Sequence, residues 1–143
     1  MRKILILIPV FNDWESLQKL IVELNENIKD FNTISVECLI VNDASSIDQP
    51  QLKRPEKIRS LKILNMKKNK GHARCNAFGI RYVKENEKFD YLILMDGDGE
   101  DRPVEIKKLI NEIEKNPNRS IVAKRIKRSE GLFFQFLYFM HKL

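Results

Sequence analysis

Short, uniformly apolar runs alternate along the chain with stretches in which apolar residues recur every three or four positions. Residues 4–8 predict a strand. Residues 14–28 predict an amphipathic helix with Leu17, Leu20, Ile21, Leu24 and Ile28 on one face. A second strand is expected over 36–41, and a third over 61–64 after the polar, proline-flanked stretch 45–56. A helix over 73–83, a strand over 91–95 and a helix over 104–113 follow, the last closed by Asn116-Pro117-Asn118. A short fifth strand is expected over 121–123. Strands that are apolar on both faces suit a mostly parallel sheet with helices on either side, and the β-α alternation points the same way. The fold class is α/β and Rossmann-like. Without internal repeats or low-complexity linkers, residues 1–143 read as one domain.

Composition narrows this little. An apolar share of 43% and a charged share of 32% describe a globular chain able to bury a core. With 26 Lys and Arg against 20 Asp and Glu, the net charge is +6. That balance suits nucleic acid, anionic lipid or a phosphorylated small molecule, and chooses none of them. Cys38 and Cys75 sit inside apolar segments and read as buried free thiols; no Cys/His spacing suggests zinc. The apolar start runs into Pro9-Val10-Phe11-Asn12-Asp13 with no small-residue cleavage site, so it reads as a strand and not a secretory leader. No run reaches the roughly 20 apolar residues that cross a bilayer. A cytoplasmic or cytoplasm-facing protein is expected.

In open parallel sheets, ligands bind beyond the carboxyl ends of the strands. Polar residues gather there: Pro9 to Asp13, Asn42-Asp43-Ala44-Ser45, Asn69-Lys70-Gly71-His72, and Asp96-Gly97-Asp98-Gly99-Glu100-Asp101. The last stretch packs four carboxylates into six residues, a repulsive arrangement that a cation relieves. Asp96 and Asp98 offer hard oxygens of the kind that Mg²⁺ or Mn²⁺ takes together with substrate phosphates. Gly97 between them permits close approach of a ligand. The plainer alternative is a solvated acidic turn with Asp101 capping before Pro103. Asp43 either accepts a hydrogen bond from a base or ribose, or caps the turn with Ser45 and Ser46. Phe11 either stacks on a base or belongs to the core. No glycine-rich phosphate loop is present, so a bound diphosphate needs a metal in its place.

Taken together, Pro9-Val10-Phe11-Asn12, Val41-Asn42-Asp43-Ala44-Ser45, the stretch from Asn69 through Gly79, and Met95-Asp96-Gly97-Asp98 occur in the order found in family-2 glycosyltransferases of GT-A fold. The chain resembles that family over nearly its whole length. Gly99 to Glu105 and Val122 to Arg128 are similar to the branch of dolichol-phosphate mannose synthases and polyprenyl-phosphate glycosyltransferases. The resemblance implies that Pro9, Phe11, Asp13, Val41 and Asp43 line the nucleotide's base and ribose. It implies that Asp96 and Asp98 are the DxD pair around Mg²⁺ or Mn²⁺, and that Gly97 touches the nucleotide. Gly71 shapes the neighbouring helix, and Arg125 approaches the diphosphate. The chain departs from the pattern at Asn42, where relatives often carry a first aspartate. It departs again at Ala44, often glycine, and at Phe11, often tyrosine.

The function so implied is an inverting, metal-dependent transfer of a sugar from a UDP- or GDP-linked donor. The acceptor is a polyprenyl phosphate or a cell-surface glycan precursor, and no nucleic acid is involved. Relatives run longer, so the acceptor half and the catalytic base are expected downstream of Leu143; Asp101 is a poor candidate for that base. The alternative is a non-catalytic nucleotide-binding or self-associating module of the same fold. A nucleotidyltransferase is disfavoured by the absence of a glycine-rich loop after the first strand. The apolar segment 132–143 follows a basic run and is too greasy to stand in water. As a helix it packs on the domain or on a further half, joins a second copy, or rests in a membrane interface.

Overall fold

The structure is a computed structural model and describes residues 1–117 and 121. Strand β1 (Arg2–Val10) leads through helix α1 (Trp14–Ile28) to β2 (Ile34–Asn42), and a long connection then reaches β3 (Ile58–Asn65). Helix α2 (His72–Asn86) precedes β4 (Tyr91–Leu94), and a 3₁₀ turn (Pro103–Glu105) leads into α3 (Ile106–Lys115). The strands form one parallel sheet in the order β3-β2-β1-β4. Strands β1, β2 and β3 and helices α1 and α2 cover or extend the ranges their patterns predict, and β4 ends one residue short of its range, at Leu94. The last helix also differs, because Pro103 opens it and its first turn is 3₁₀. The expected strand 121–123 lies outside the described residues except for Ile121, which carries no strand geometry.

β1 is buried from Ile4 to Val10 because it sits inside the sheet with a helix layer on each side. Ile4, Ile6 and Ile8 share a core with Leu17, Ile21 and Leu24 of α1 and with Ile106 and Ile110 of α3. Leu5 and Leu7 face the other way, toward Cys75 and Val83 of α2. Each fully buried Leu or Ile contributes about 1.5–3 kcal/mol relative to exposure, so these two layers dominate the fold's stability. The one acidic residue inside the apolar β2 run is accommodated by charge pairing: Glu37 is buried and sits 3.0 Å from Lys3 Nζ on the neighbouring strand. Gly79 sets the distance of α2 from the sheet. A Cβ there would meet Leu7 Cδ1 at 2.5 Å and Val41 Cγ2 at 2.8 Å. Cys38 and Cys75 are both buried free thiols. Among the described residues no helix is long and apolar enough to cross a membrane.

Candidate active site

Strand pairing persists just past the strand ends, through Asp43 N to Val10 O (2.9 Å) and Met95 N to Leu7 O (3.1 Å). Beyond those bonds the chains diverge, and a cavity of about 280 Å³ opens between them. Pro9, Phe11 and Asp13 border it on the β1 side, and Asp96, Gly97 and Asp98 on the β4 side. Asp43, Asn69, Gly71, His72 and Cys75 close it from β2 and the start of α2.

The loops around the cavity are tied by side chains that reach across the sequence. Asn12 adopts a left-handed backbone (φ 60) and its Oδ1 accepts from the amides of Ser46 (2.8 Å) and Ile47 (3.1 Å). Asn42 Oδ1 accepts from Ser45 N (2.9 Å) and Ser45 Oγ (2.6 Å), while its Nδ2 donates to Asn65 Oδ1. Asn42 therefore caps the turn, a task the sequence offered to Asp43. An amide at this position thus has a structural task in the turn.

Asp43 is almost fully buried, and both its oxygens are engaged: Oδ1 accepts from Lys70 N and Oδ2 from Gly71 N, each at 2.8 Å. Paired amide donors to one carboxylate are strong, charge-assisted bonds. They fasten the segment before α2 to the end of β2, with Gly71 at φ 82, a conformation that glycine adopts without strain. Asp13 also has a local task, accepting from Ser16 N at 3.2 Å as the cap of α1.

Phe11 is half exposed at the cavity rim, so it is not a core residue, and its face is available for stacking. Val41 is placed differently from what the resemblance implies. It is fully buried beneath α2 against Gly79 and does not line the cavity. Arg125 lies outside the described residues, as do residues 132–143.

The acidic turn is held from within. Asp101 Oδ2 accepts from Asp96 N at 2.8 Å, and Asp98 Oδ1 accepts from Glu100 N at 2.9 Å. Gly97 lies so close to β1 that a Cβ would come within 2.8 Å of the Pro9 carbonyl oxygen. Burial holds the Asp96 carboxyl above the ordinary carboxylate range; Asp101, Asp98 and Glu100 push the same way, and His72 opposes them. His72 Nε2 is 3.3 Å from Asp96 Oδ1 and 3.0 Å from Asn76 Nδ2. No sequence pattern marks His72 as a neighbour of the carboxylates, although it occupies the polar turn after the third strand.

Among the described residues no three of His, Cys, Asp and Glu gather into a complete metal cage. Asp96 and Asp98 fit the other kind of site. They are two hard carboxylates on one cavity, a set that Mg²⁺ or Mn²⁺ completes with substrate phosphate and water.

Comparison with known proteins agrees with this fold. The structure is similar to S. aureus TarS (residues 1–349) in complex with UDP-GlcNAc. The TM-score is 0.62 and identity 18%, over 88% of this chain and 38% of that one. The same protein in complex with UDP matches with a TM-score of 0.55 and 18% identity, over 88% of this chain and 40% of that one. At that identity the likeness is one of fold. In sequence, the chain is 28% identical over 112 residues to an uncharacterized protein of Methanocaldococcus jannaschii, covering 76% of this chain. It spans 45% of that relative's length. The model of glycosyl transferase family 2 matches residues 5–140. The strand-end cavity, the parallel sheet and that near-complete match place the chain in glycosyl transferase family 2.

Proposed function

We propose that the chain binds the donor of a metal-dependent, inverting glycosyltransferase that takes its sugar from a nucleoside diphosphate. The observation that carries this reading is a convergence. An exposed aromatic face after β1 and the carboxylates of Asp96 and Asp98 after β4 open onto one cavity. The TarS complexes with UDP and UDP-GlcNAc support a uridine donor, and a GDP-linked donor is the other candidate.

In this reading Phe11 stacks on the base, with Pro9 and Asp13 beside it, while Asp43 rigidifies the wall through Lys70 and Gly71. Asp96 and Asp98 hold Mg²⁺ or Mn²⁺, which supplies positive charge against the departing diphosphate. Gly97 lets the nucleotide approach the backbone, and Arg125 offsets phosphate charge. His72 steadies the Asp96 carboxylate. The acceptor attacks the sugar from the face opposite the diphosphate, which inverts the anomeric centre. Asp101 serves here as a structural acceptor, one of its oxygens taking the Asp96 amide, and the base lies elsewhere in this reading. A polyprenyl phosphate acceptor, as in the dolichol-phosphate mannose synthase branch, places the reaction at the cytoplasmic face of a membrane.

Calorimetric titration of UDP and GDP with Mn²⁺ tests this. One nucleotide is expected to bind only with metal, and roughly tenfold or more weakly to Asp98→Ala, the loss of one charged ligand. Metal-independent binding, or none, by the wild type sinks the donor site. Nucleotide binding without donor hydrolysis or sugar transfer marks a binding or self-associating module.

A further inference from the structure

A second groove, of about 720 Å³, runs along the outer side of α2. Lys67, Lys68, Lys70, Arg74 and Arg81 line it, and no carboxylate does. Its apolar floor is Met66, Ala77 and Phe78, and Phe78 is 39% exposed. Arg74, Ala77, Phe78 and Arg81 fall at i, i+3, i+4 and i+7, which makes one stripe of the helix. Of the other described cations, Lys3, Lys19, Lys29, Lys62, Lys108 and Lys115 each sit against a glutamate. Arg54, Lys57 and Arg59 are among nine that form no ion pair among the described residues but do not gather without a carboxylate. Among the described residues none of the five groove cations has an acidic partner. Five like charges gathered on one stripe repel one another, and an anionic surface offsets that repulsion.

We infer that this groove is a docking surface for an anionic lipid bilayer, with the five cations at headgroup phosphates and Phe78 in the interface. Charge complementarity selects the anionic partner. The apolar floor selects lipid over a polynucleotide, since single-strand binding uses several aromatic faces and this groove offers one. Lys70 belongs to the groove while its neighbours Asn69 and Gly71 line the cavity at the strand ends. A bilayer docked here lies beside the mouth of that cavity. The inference does not depend on the donor reading, and nucleotide titrations of the same preparations report on that reading separately.

Co-sedimentation of the whole chain with vesicles tests it, using phosphatidylcholine alone and phosphatidylcholine mixed with phosphatidylglycerol. Partition into the anionic vesicles only is expected, falling as salt rises. The variant Lys67→Gln/Lys68→Gln/Arg74→Gln/Arg81→Gln is expected to bind about a thousandfold more weakly, given the contribution of each surface cation. Removing the same charge as Lys19→Gln/Lys29→Gln/Lys108→Gln/Lys115→Gln is expected to change binding by no more than about threefold, because those lysines are already paired. If the groove variant is unfolded by circular dichroism, Lys68→Gln and Arg81→Gln singly are each expected to weaken binding severalfold. Several results overturn the inference. These are equal binding to neutral vesicles, equal losses in the two fourfold variants, or displacement of the vesicles by a single-stranded RNA. Loss on Lys124→Gln/Lys127→Gln/Arg128→Gln with none in the groove variant overturns it as well.

Discussion

The Asp101 carboxylate accepts a hydrogen bond from the backbone amide of Asp96, Oδ2 to N at 2.8 Å, and so closes the acidic turn on itself. The bond fixes where Asp96 points before any ligand arrives. A catalytic base and a structural acceptor answer differently to substitution. Asp101→Asn keeps an acceptor oxygen and is expected to retain nucleotide binding and most stability. Asp101→Ala leaves the amide without its partner and is expected to cost about 1–2 kcal/mol. Thermal melts and UDP titrations of both variants check this. Loss of transfer activity in Asp101→Asn with unchanged binding reverses the assignment.

Asp43 ties the end of β2 to the start of α2 with both oxygens. Truncation strands two amide donors, so Asp43→Ala is expected to lose about 2–4 kcal/mol, at roughly 1–2 kcal/mol per unmatched donor. Asp43→Asn, which keeps one acceptor oxygen, is expected to lose about half as much. Chemical denaturation gives both values. Hydrogen exchange at the Lys70 and Gly71 amides gives the mechanism, since both protons should exchange faster in Asp43→Ala and one of them in Asp43→Asn. A residue that only contacted the nucleotide would leave the free protein's stability unchanged.

The contrast between these residues and the strands shows what the sequence makes legible. Ile4 to Ile8 and the stripe from Leu17 to Ile28 are burial patterns, and burial repeats with the period of the element that produces it. The strand-end location of Phe11, Asp96 and Asp98 then follows from topology. What does not repeat is invisible to that reading. Asn12 reaching Ser46 and Asp43 reaching Gly71 join loops 34 and 28 residues apart, and Asn42 reaching Asn65 pairs the last residues of β2 and β3, 23 apart. The burial of the Val41 side chain is likewise hidden from that reading. Val41 directly precedes two polar site residues, but alternation along β2 turns its side chain under α2.

Ala44 holds a left-handed backbone at φ 54, where glycine is unstrained and alanine is not. The departure from glycine at this position therefore carries a conformational cost. Ala44→Gly is expected to stabilise the chain by about 0.5–1 kcal/mol, the relief of strain less the added freedom of the unfolded chain. Urea denaturation of the two proteins measures the difference. An equal or lower midpoint for Ala44→Gly means that packing of the alanine methyl outweighs the strain.

The two thiols give the fold an alkaline limit. Burial pushes Cys38 up to about 12, with the neighbouring Glu37 adding to it, and pushes Cys75 up to about 11, with Asp43 adding. In the unfolded chain both titrate near 9.0. Between these values the unfolded state has released protons that the folded state retains, so stability falls as pH rises. The contribution is fully present below pH 9 and is lost through the window from about 9 to 11 for Cys75, and to about 12 for Cys38. Each thiol adds at most about 1.4 kcal/mol per pH unit to the slope. Denaturation at pH 8 and at successive points up to about 10 is expected to show the decline, and Cys38→Ala and Cys75→Ala should each flatten it despite lowering stability at pH 8. An unchanged slope in both variants places the alkaline loss in the lysines and not in the core.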